Sequence, residues 1–372
     1  MKPVLFVTGH VPAYRAGALA RLHEREGIEV ALFGGRAKHG GGAFPGELPF
    51  PHRQVQPRAL HALAMSGRHR AVVCPTGGRL APLASWLGAR SGGLPLILWA
   101  SLWAHPRSPA HTFSYLPLRR LYRSADAVVT YGPHVSAYVA ARGAHNIHVA
   151  PQSVDNDFWR SEEVAPPSDP AWPAQAQTKF LFVGRPVREK GVPVLLEAWR
   201  ASGLRPPAAA LALVGAGSDR GPEEPAGGHP RADADRIDDG VRRLEAAAPL
   251  ELRNIYADGD VLVLPSIPTR TFREPWGLVV NEAMNRGLAV IASDAVGAAA
   301  GGLVRDRRNG LIVQADDSHA LAGAIATLAA DAPLRARLGA SGARDVLAYS
   351  HDAWAEGFSR ALLTLGLSRV RC

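Results

Sequence analysis

The chain has 372 residues, 47% of them hydrophobic, and a formal net charge of +9. At about 150 residues per domain that length favours two domains with ample apolar content for two packed cores. Its two cysteines, Cys74 in an apolar run and Cys372 at the last position, support neither a disulfide framework nor a thiolate metal site and fit a reducing cytoplasm.

The opening stretch, Met1 to Gly9, has too short an apolar run for a signal peptide and reads as the first strand of a sheet. Further short apolar runs at residues 30–33, 71–74, 96–99 and 127–130 predict buried strands. Helical patterns at 15–26, 78–89 and 114–124 separate them. Such alternation predicts a parallel, doubly wound sheet. The longest apolar window, Leu94 to Ala104, is broken by Pro95 and stopped by His105-Pro106, short of the roughly 18 to 20 residues a spanning helix needs.

A domain boundary is expected near Pro151, because the Pro- and acid-rich stretch 162–177 reads as linker. The second half repeats the pattern, with strands at Phe180, Ala210, Val261, Ala289 and Leu311 and helices at Val192, Leu250, Asn281, His319 and Leu334. Residues 218–248 break it: a Gly-Pro-Glu-Glu-Pro-Ala-Gly-Gly-His-Pro run followed by an acidic stretch predicts a disordered loop or a lid.

Charge is divided between the halves. Residues 1–150 hold 17 Lys+Arg against 5 Asp+Glu, net +12; the remaining 25 and 28 give net −3. A one-sided cationic half points to an anionic partner: a membrane leaflet, a lipid-linked phosphate or an acidic glycan. An ordinary solvated surface in an arginine-rich chain is the plain alternative. No nucleic-acid motif accompanies the charge, so nucleic acid is not expected.

The most informative segment is Glu274-Pro-Trp-Gly-Leu-Val-Val-Asn-Glu282. Its turn runs into a helix, so Gly277 admits close backbone approach, the amides of Gly277, Leu278 and Val279 face an anion, and Glu282 follows about one turn on. A second segment, residues 180–199, reads as a strand, a Gly184 turn, the cations Arg185 and Lys190, and an amphipathic helix. Gly215-Ala-Gly217 closes another strand without completing a dinucleotide fingerprint, and residues 252–266 end in Pro265-Ser266.

These segments, in this order, resemble the retaining glycosyltransferases of family 4, which have the GT-B fold: two Rossmann-like domains facing each other across a cleft. The resemblance covers roughly residues 178–358. It implies an acceptor-binding domain over 1–150, a nucleotide-sugar-binding domain over 151–350, and a closing helix within 351–372 that crosses back to the first domain. It further implies that Arg185 and Lys190 neutralise the departing diphosphate, Glu274 contacts the transferred sugar and Glu282 holds the ribose hydroxyls. Gly184, Gly215, Ser266, Gly277, Leu278 and Val279 would line the donor site. Ordinary surface charges are the alternative for Arg185 and Lys190, and a loop or helix-end carboxylate for Glu274 and Glu282.

On the first half, Gly9 and His10 follow the first strand, His105 follows Trp99-Ala-Ser-Leu-Trp103, and His134 opens a helix after another strand. His105 is a loose match to a family histidine near the reacting sugar; Gly9, His10 and His134 are assigned to the acceptor side. An incidental loop histidine and a packed tryptophan are the plain alternatives. Asp155-Asn-Asp157, Asp233-Ala-Asp235 and Asp258-Gly-Asp260 do not read as a Mg²⁺ clamp, so no metal and no cofactor are expected beyond the nucleoside-diphosphate sugar, UDP foremost.

The expectation is therefore a cytoplasmic, metal-independent hexosyltransferase, peripheral on the inner face of a membrane, with a carbohydrate or lipid-linked acceptor. A GT-B nucleotide-sugar epimerase and a noncatalytic nucleotide-sugar or glycan-binding protein remain as alternatives.

Overall fold

The computed structural model describes residues 1–34, 46–78, 80–162, 170–215 and 240–370. Gly217, Asp233-Ala-Asp235, most of the 218–248 segment and Cys372 lie outside the described residues. The chain divides into two compact units, Met1–Asp155 with Ala348–Cys372, and Asn156–Leu347.

In the first unit, β1 (Val4–Thr8), β2 (Ile28–Leu32), β3 (His52–Gln54), β4 (Val72–Pro75), β5 (Leu96–Ala100), β6 (Ala127–Thr130) and β7 (Ile147–Val149) form one parallel sheet of order β3-β2-β1-β4-β5-β6-β7. Its helices are α1 (Ala13–Glu26), α2 (Ala59–Met65), α3 (Ala81–Ser91), α4 (Pro109–Ser124) and α5 (Pro133–Ala140). The near-continuous apolar sequence of β1 has a physical cause: both faces are covered. Val4 and Phe6 enter one core, Leu5 and Val7 the other.

The second unit opens with α6 (Asn156–Arg160) and carries β8 (Lys179–Val183), β9 (Ala210–Val214), β10 (Val241–Leu244), β11 (Val261–Leu264), β12 (Ala289–Ser293) and β13 (Leu311–Val313), in the order β10-β9-β8-β11-β12-β13. Its remaining helices are α7 (Val192–Ser202), α8 (Pro249–Asp258), α9 (Val279–Asn285), α10 (Gly297–Ala300), α11 (Ser318–Ala330) and α12 (Ala332–Asp345). Phe180 and Phe182 pack with Leu195 and Trp199 on one face of this sheet. The final helix, α13 (His351–Thr364), is capped by Ser350 and packs on α1 of the first unit. Its Trp354 and Phe358 complete an aromatic cluster with Phe6 and Trp99, the Trp99 and Trp354 rings lying 5.7 Å apart. Trp99 is therefore a packing residue.

Several elements depart from the sequence reading. The 218–248 segment is not all loop, since β10 lies within it and pairs with β9 in parallel register. As a half-buried strand at one end of the sheet order it tolerates Arg242-Arg243, which hides it from a search for apolar runs. The short β3 is wholly exposed and polar, so it leaves no hydrophobic signal either. Helix α4 begins at Pro109, five residues before the expected start, and runs through Pro117.

Candidate active site

Each sheet reverses its winding direction beside its first strand: β1 lies between β2 and β4, and β8 lies between β9 and β11. Crevice ligands of open α/β sheets bind outside the carboxyl ends of the strands at such points. In the second unit Gly184 follows β8, Gly215 follows β9 and Ser266 follows β11, so the topology alone gathers three segments that sequence distance separates.

A single 3₁₀ turn, Arg188–Lys190, delivers Lys190 to this edge. Its Nζ lies 2.5 Å from Glu274 Oε2, the same oxygen that accepts a hydrogen bond from Ser266 Oγ at 3.3 Å. Ser293 Oγ in turn donates to the Ser266 carbonyl. Glu274 is only 7% exposed, and Lys190 supplies the countercharge that such burial demands. Gly191 is fixed between this turn and α7 by two constraints, a left-handed φ of +69° and a Cβ position 2.1 Å from the Pro265 carbonyl oxygen.

Arg185 differs from Lys190. Its side chain is exposed and forms no ion pair among the described residues. The two cations thus offer an arriving anion one free guanidinium and one ammonium already engaged by a carboxylate.

Gly277 has φ +92°, and a Cβ there would lie 2.6 Å from Leu264. Packing alone therefore requires glycine here. Leu278 and Val279 are half-buried at the start of α9, whose first turn closes through the Val280 amide donating to the Gly277 carbonyl at 3.0 Å. Trp276 Nε1 donates to Asn281 Oδ1 at 2.8 Å, pinning the turn to the helix.

Glu282 has a partner that sequence reasoning missed. Tyr256, fully buried on α8, donates its hydroxyl to Glu282 Oε2 at 2.9 Å. Burial pushes the Glu282 carboxyl up to about 7, opposed by the lowering effect of that hydrogen bond. Burial, then the neighbouring carboxylate, raises the Tyr256 phenol well above its ordinary value. A tyrosine on an apolar helix face carries no sequence signal distinguishing this role from core packing.

In the first unit, Gly9 and His10 follow β1, where the Thr8 hydroxyl donates to the His10 carbonyl at 3.2 Å. A groove of about 1070 Å³ brings His105 together with Thr76, Gly77 and Gly78 at the ends of β5 and β4. The His105 ring stands edge-on to Tyr115, with centroids 5.1 Å apart. His134 packs edge-on to Trp103 at 5.0 Å. Gly9, His10 and His134 are not part of the groove lining. Thr76-Gly77-Gly78 was not singled out in the sequence, although its place after an apolar run marks it as a strand-end turn.

Among the described residues no group of three or more His, Cys, Asp or Glu could hold one metal ion. Asp258 and Asp260 have structural duties: Asp258 pairs with Lys179, and Asp260 Oδ2 accepts the Lys179 amide at 2.8 Å. Among the described residues no helix is long and apolar enough to cross a membrane.

The double-sheet architecture has close counterparts. HepE of Anabaena, solved in complex with UDP, superposes with a TM-score of 0.72 at 17% identity, covering 98% of this chain and all of that one. Sucrose-phosphate synthase from Thermosynechococcus elongatus gives 0.71 at 21% identity, covering 98% and 99%. The fold is that of the GT-B glycosyltransferases, with two Rossmann-like domains.

Residues 177–331 match the family model described as Glycosyl transferases group 1. D-inositol 3-phosphate glycosyltransferase of Corynebacterium glutamicum (strain R) is 34% identical over 182 residues, 48% of this chain and 41% of that protein. The match thus spans about two fifths of that relative's length.

Proposed function

We propose that the protein transfers a hexose-type sugar from a nucleoside diphosphate, UDP foremost, to a hydroxyl acceptor with retained anomeric configuration and without a metal ion. The reading rests chiefly on one observation: Lys190 and Glu274 are paired at the carboxyl edge of the second unit's sheet, with exposed Arg185 nearby in sequence. HepE, which shares the fold, has been solved with UDP and with UDP-glucose.

Breaking a glycosyl phosphate bond places negative charge on the leaving diphosphate. Arg185 would meet that charge with a free guanidinium fork, and Lys190 with the N–H donors that Glu274 leaves unused. Glu274, held by Lys190 and Ser266, would orient the sugar hydroxyls, and Glu282, held by Tyr256, the ribose. Same-face attack would let the leaving phosphate oxygen take the acceptor proton, so no separate basic side chain is required. His105 and the Thr76–Gly78 turn are assigned to the acceptor side. The acceptor is a carbohydrate or a lipid-linked intermediate, met in the cytoplasm or on the inner face of the membrane.

Calorimetric titration with UDP, GDP, ADP and dTDP in EDTA tests the donor site, with Arg185→Ala and Lys190→Ala in parallel. Binding of one diphosphate without metal, weakened by both substitutions, is expected. If none binds, or binding requires a divalent ion, the reading fails.

A further inference from the structure

From Leu48 to Ala125 the sequence contains ten arginines and not one aspartate or glutamate. The structure sorts part of this run onto one surface. On α3 and its preceding turn, Leu80, Leu83, Leu87 and Arg90 recur at spacings of three and four, which places them on one helical face. On α4, Phe113, Leu116, Arg120 and Arg123 repeat the same pattern. Both faces therefore read apolar first and cationic last.

The two helices share this surface. Leu83 and Trp86 from α3 line one groove with Leu116 and Arg120 from α4, and the Arg120 guanidinium lies 6.0 Å from the Trp86 ring. Phe113 is 83% exposed and Leu116 68%, with Leu80, Leu83 and Leu87 also exposed. Scattered exposed leucines need no explanation, but five large apolar side chains on two neighbouring segments do. Among the described residues none of Arg90, Arg119, Arg120 and Arg123 has an ion-pair partner.

We infer that the α3–α4 surface seats the protein on an anionic lipid bilayer, the apolar side chains entering the acyl boundary and the arginines pairing with headgroup phosphates. Both halves of the pattern are needed to select this occupant. A polyanion such as an acidic glycan uses the cations but gives no reason for Phe113 and Leu116 to stand in water. A second copy of the same face would bring arginine against arginine. A bilayer rewards both at once, because the apolar tips and the charges meet different depths of its interface. The surface shares its groove with His105 and the Thr76–Gly78 turn; bilayer binding itself needs no transferase activity, and only the corollary that the acceptor is met at the membrane rests on the proposed function.

The test is sedimentation of the full chain with vesicles of phosphatidylcholine alone or mixed with phosphatidylglycerol, at low and high salt. Binding to the anionic vesicles that salt weakens is expected. Arg120→Ser with Arg123→Ser should weaken it roughly thirtyfold, at about fivefold per cation. Phe113→Ser with Leu116→Ser should weaken it by roughly tenfold or more. Equal behaviour with neutral and anionic vesicles, or no binding, overturns the inference. So does full binding by the Phe113/Leu116 variant, which would mark a purely electrostatic polyanion site. UDP titration of the same samples separates the two readings: vesicle binding without nucleotide binding defeats the donor site alone, and the reverse defeats the membrane seat alone.

Discussion

Glu282 gives the second unit a specific dependence on pH. Its carboxyl is held at about 7 in the folded protein, against 4.5 for the ordinary side chain, because burial disfavours the charge more than the Tyr256 hydroxyl favours it. Between those two values the native state keeps a proton that the unfolded chain has released. Unfolding free energy attributable to this group must therefore fall as pH rises. At about 1.36 kcal/mol per pH unit, the loss reaches about 2 kcal/mol by pH 6 and about 3 kcal/mol by pH 8. Glu282→Gln keeps an oxygen for Tyr256 and cannot ionise, so it removes the slope while preserving the contact. Urea denaturation of both proteins from pH 4.5 to 8 reads the difference. The curves should converge at the acid end, and the variant should become the more stable one with rising pH. Parallel curves, or a wild type that gains on the variant as pH rises, would refute the assignment of a proton to this buried carboxyl.

Tyr256→Phe removes the one hydrogen bond opposing that shift, so the Glu282 carboxyl should titrate about one unit higher, as the pH midpoint of nucleotide binding or carboxyl NMR would show. Lys190→Ala removes the ammonium that lies against buried Glu274 and should cost roughly 2 to 3 kcal/mol in urea denaturation, most of it recovered by adding Glu274→Gln. Arg185→Ala, at an exposed and unpaired site, should change stability by less than about 0.5 kcal/mol while still weakening diphosphate binding. Gly191→Ala forces a Cβ against the Pro265 carbonyl from a left-handed backbone and should destabilise by more than about 2 kcal/mol in the same assay.

What the sequence discloses and what it withholds follow from the same physics. Strands covered on both faces must be apolar throughout, so β1, β8, β11 and β12 stand out as runs, and the order of those runs is enough to expect the parallel sheets. A strand open to solvent is under no such demand, which is why β10 passed for loop and β3 left no apolar run. The site divides along a similar line. Arg185, Lys190, Glu274 and Glu282 are visible because charged residues beside glycine turns at strand ends are costly unless used. The distinction between exposed Arg185 and engaged Lys190 is not visible, since it depends on Glu274 arriving from 84 residues further along the chain. Tyr256 is hidden for the opposite reason: its ring satisfies the helix face on which it lies, and only the fold shows where its hydroxyl points. The two carboxylates of one short motif therefore arrive at different electrostatic states. Glu274 is offered a cation and Glu282 only a neutral hydroxyl, and their partners come from segments the motif does not contain. Any assignment of roles to the pair has to be made from those partners, not from the spacing that first draws attention to it.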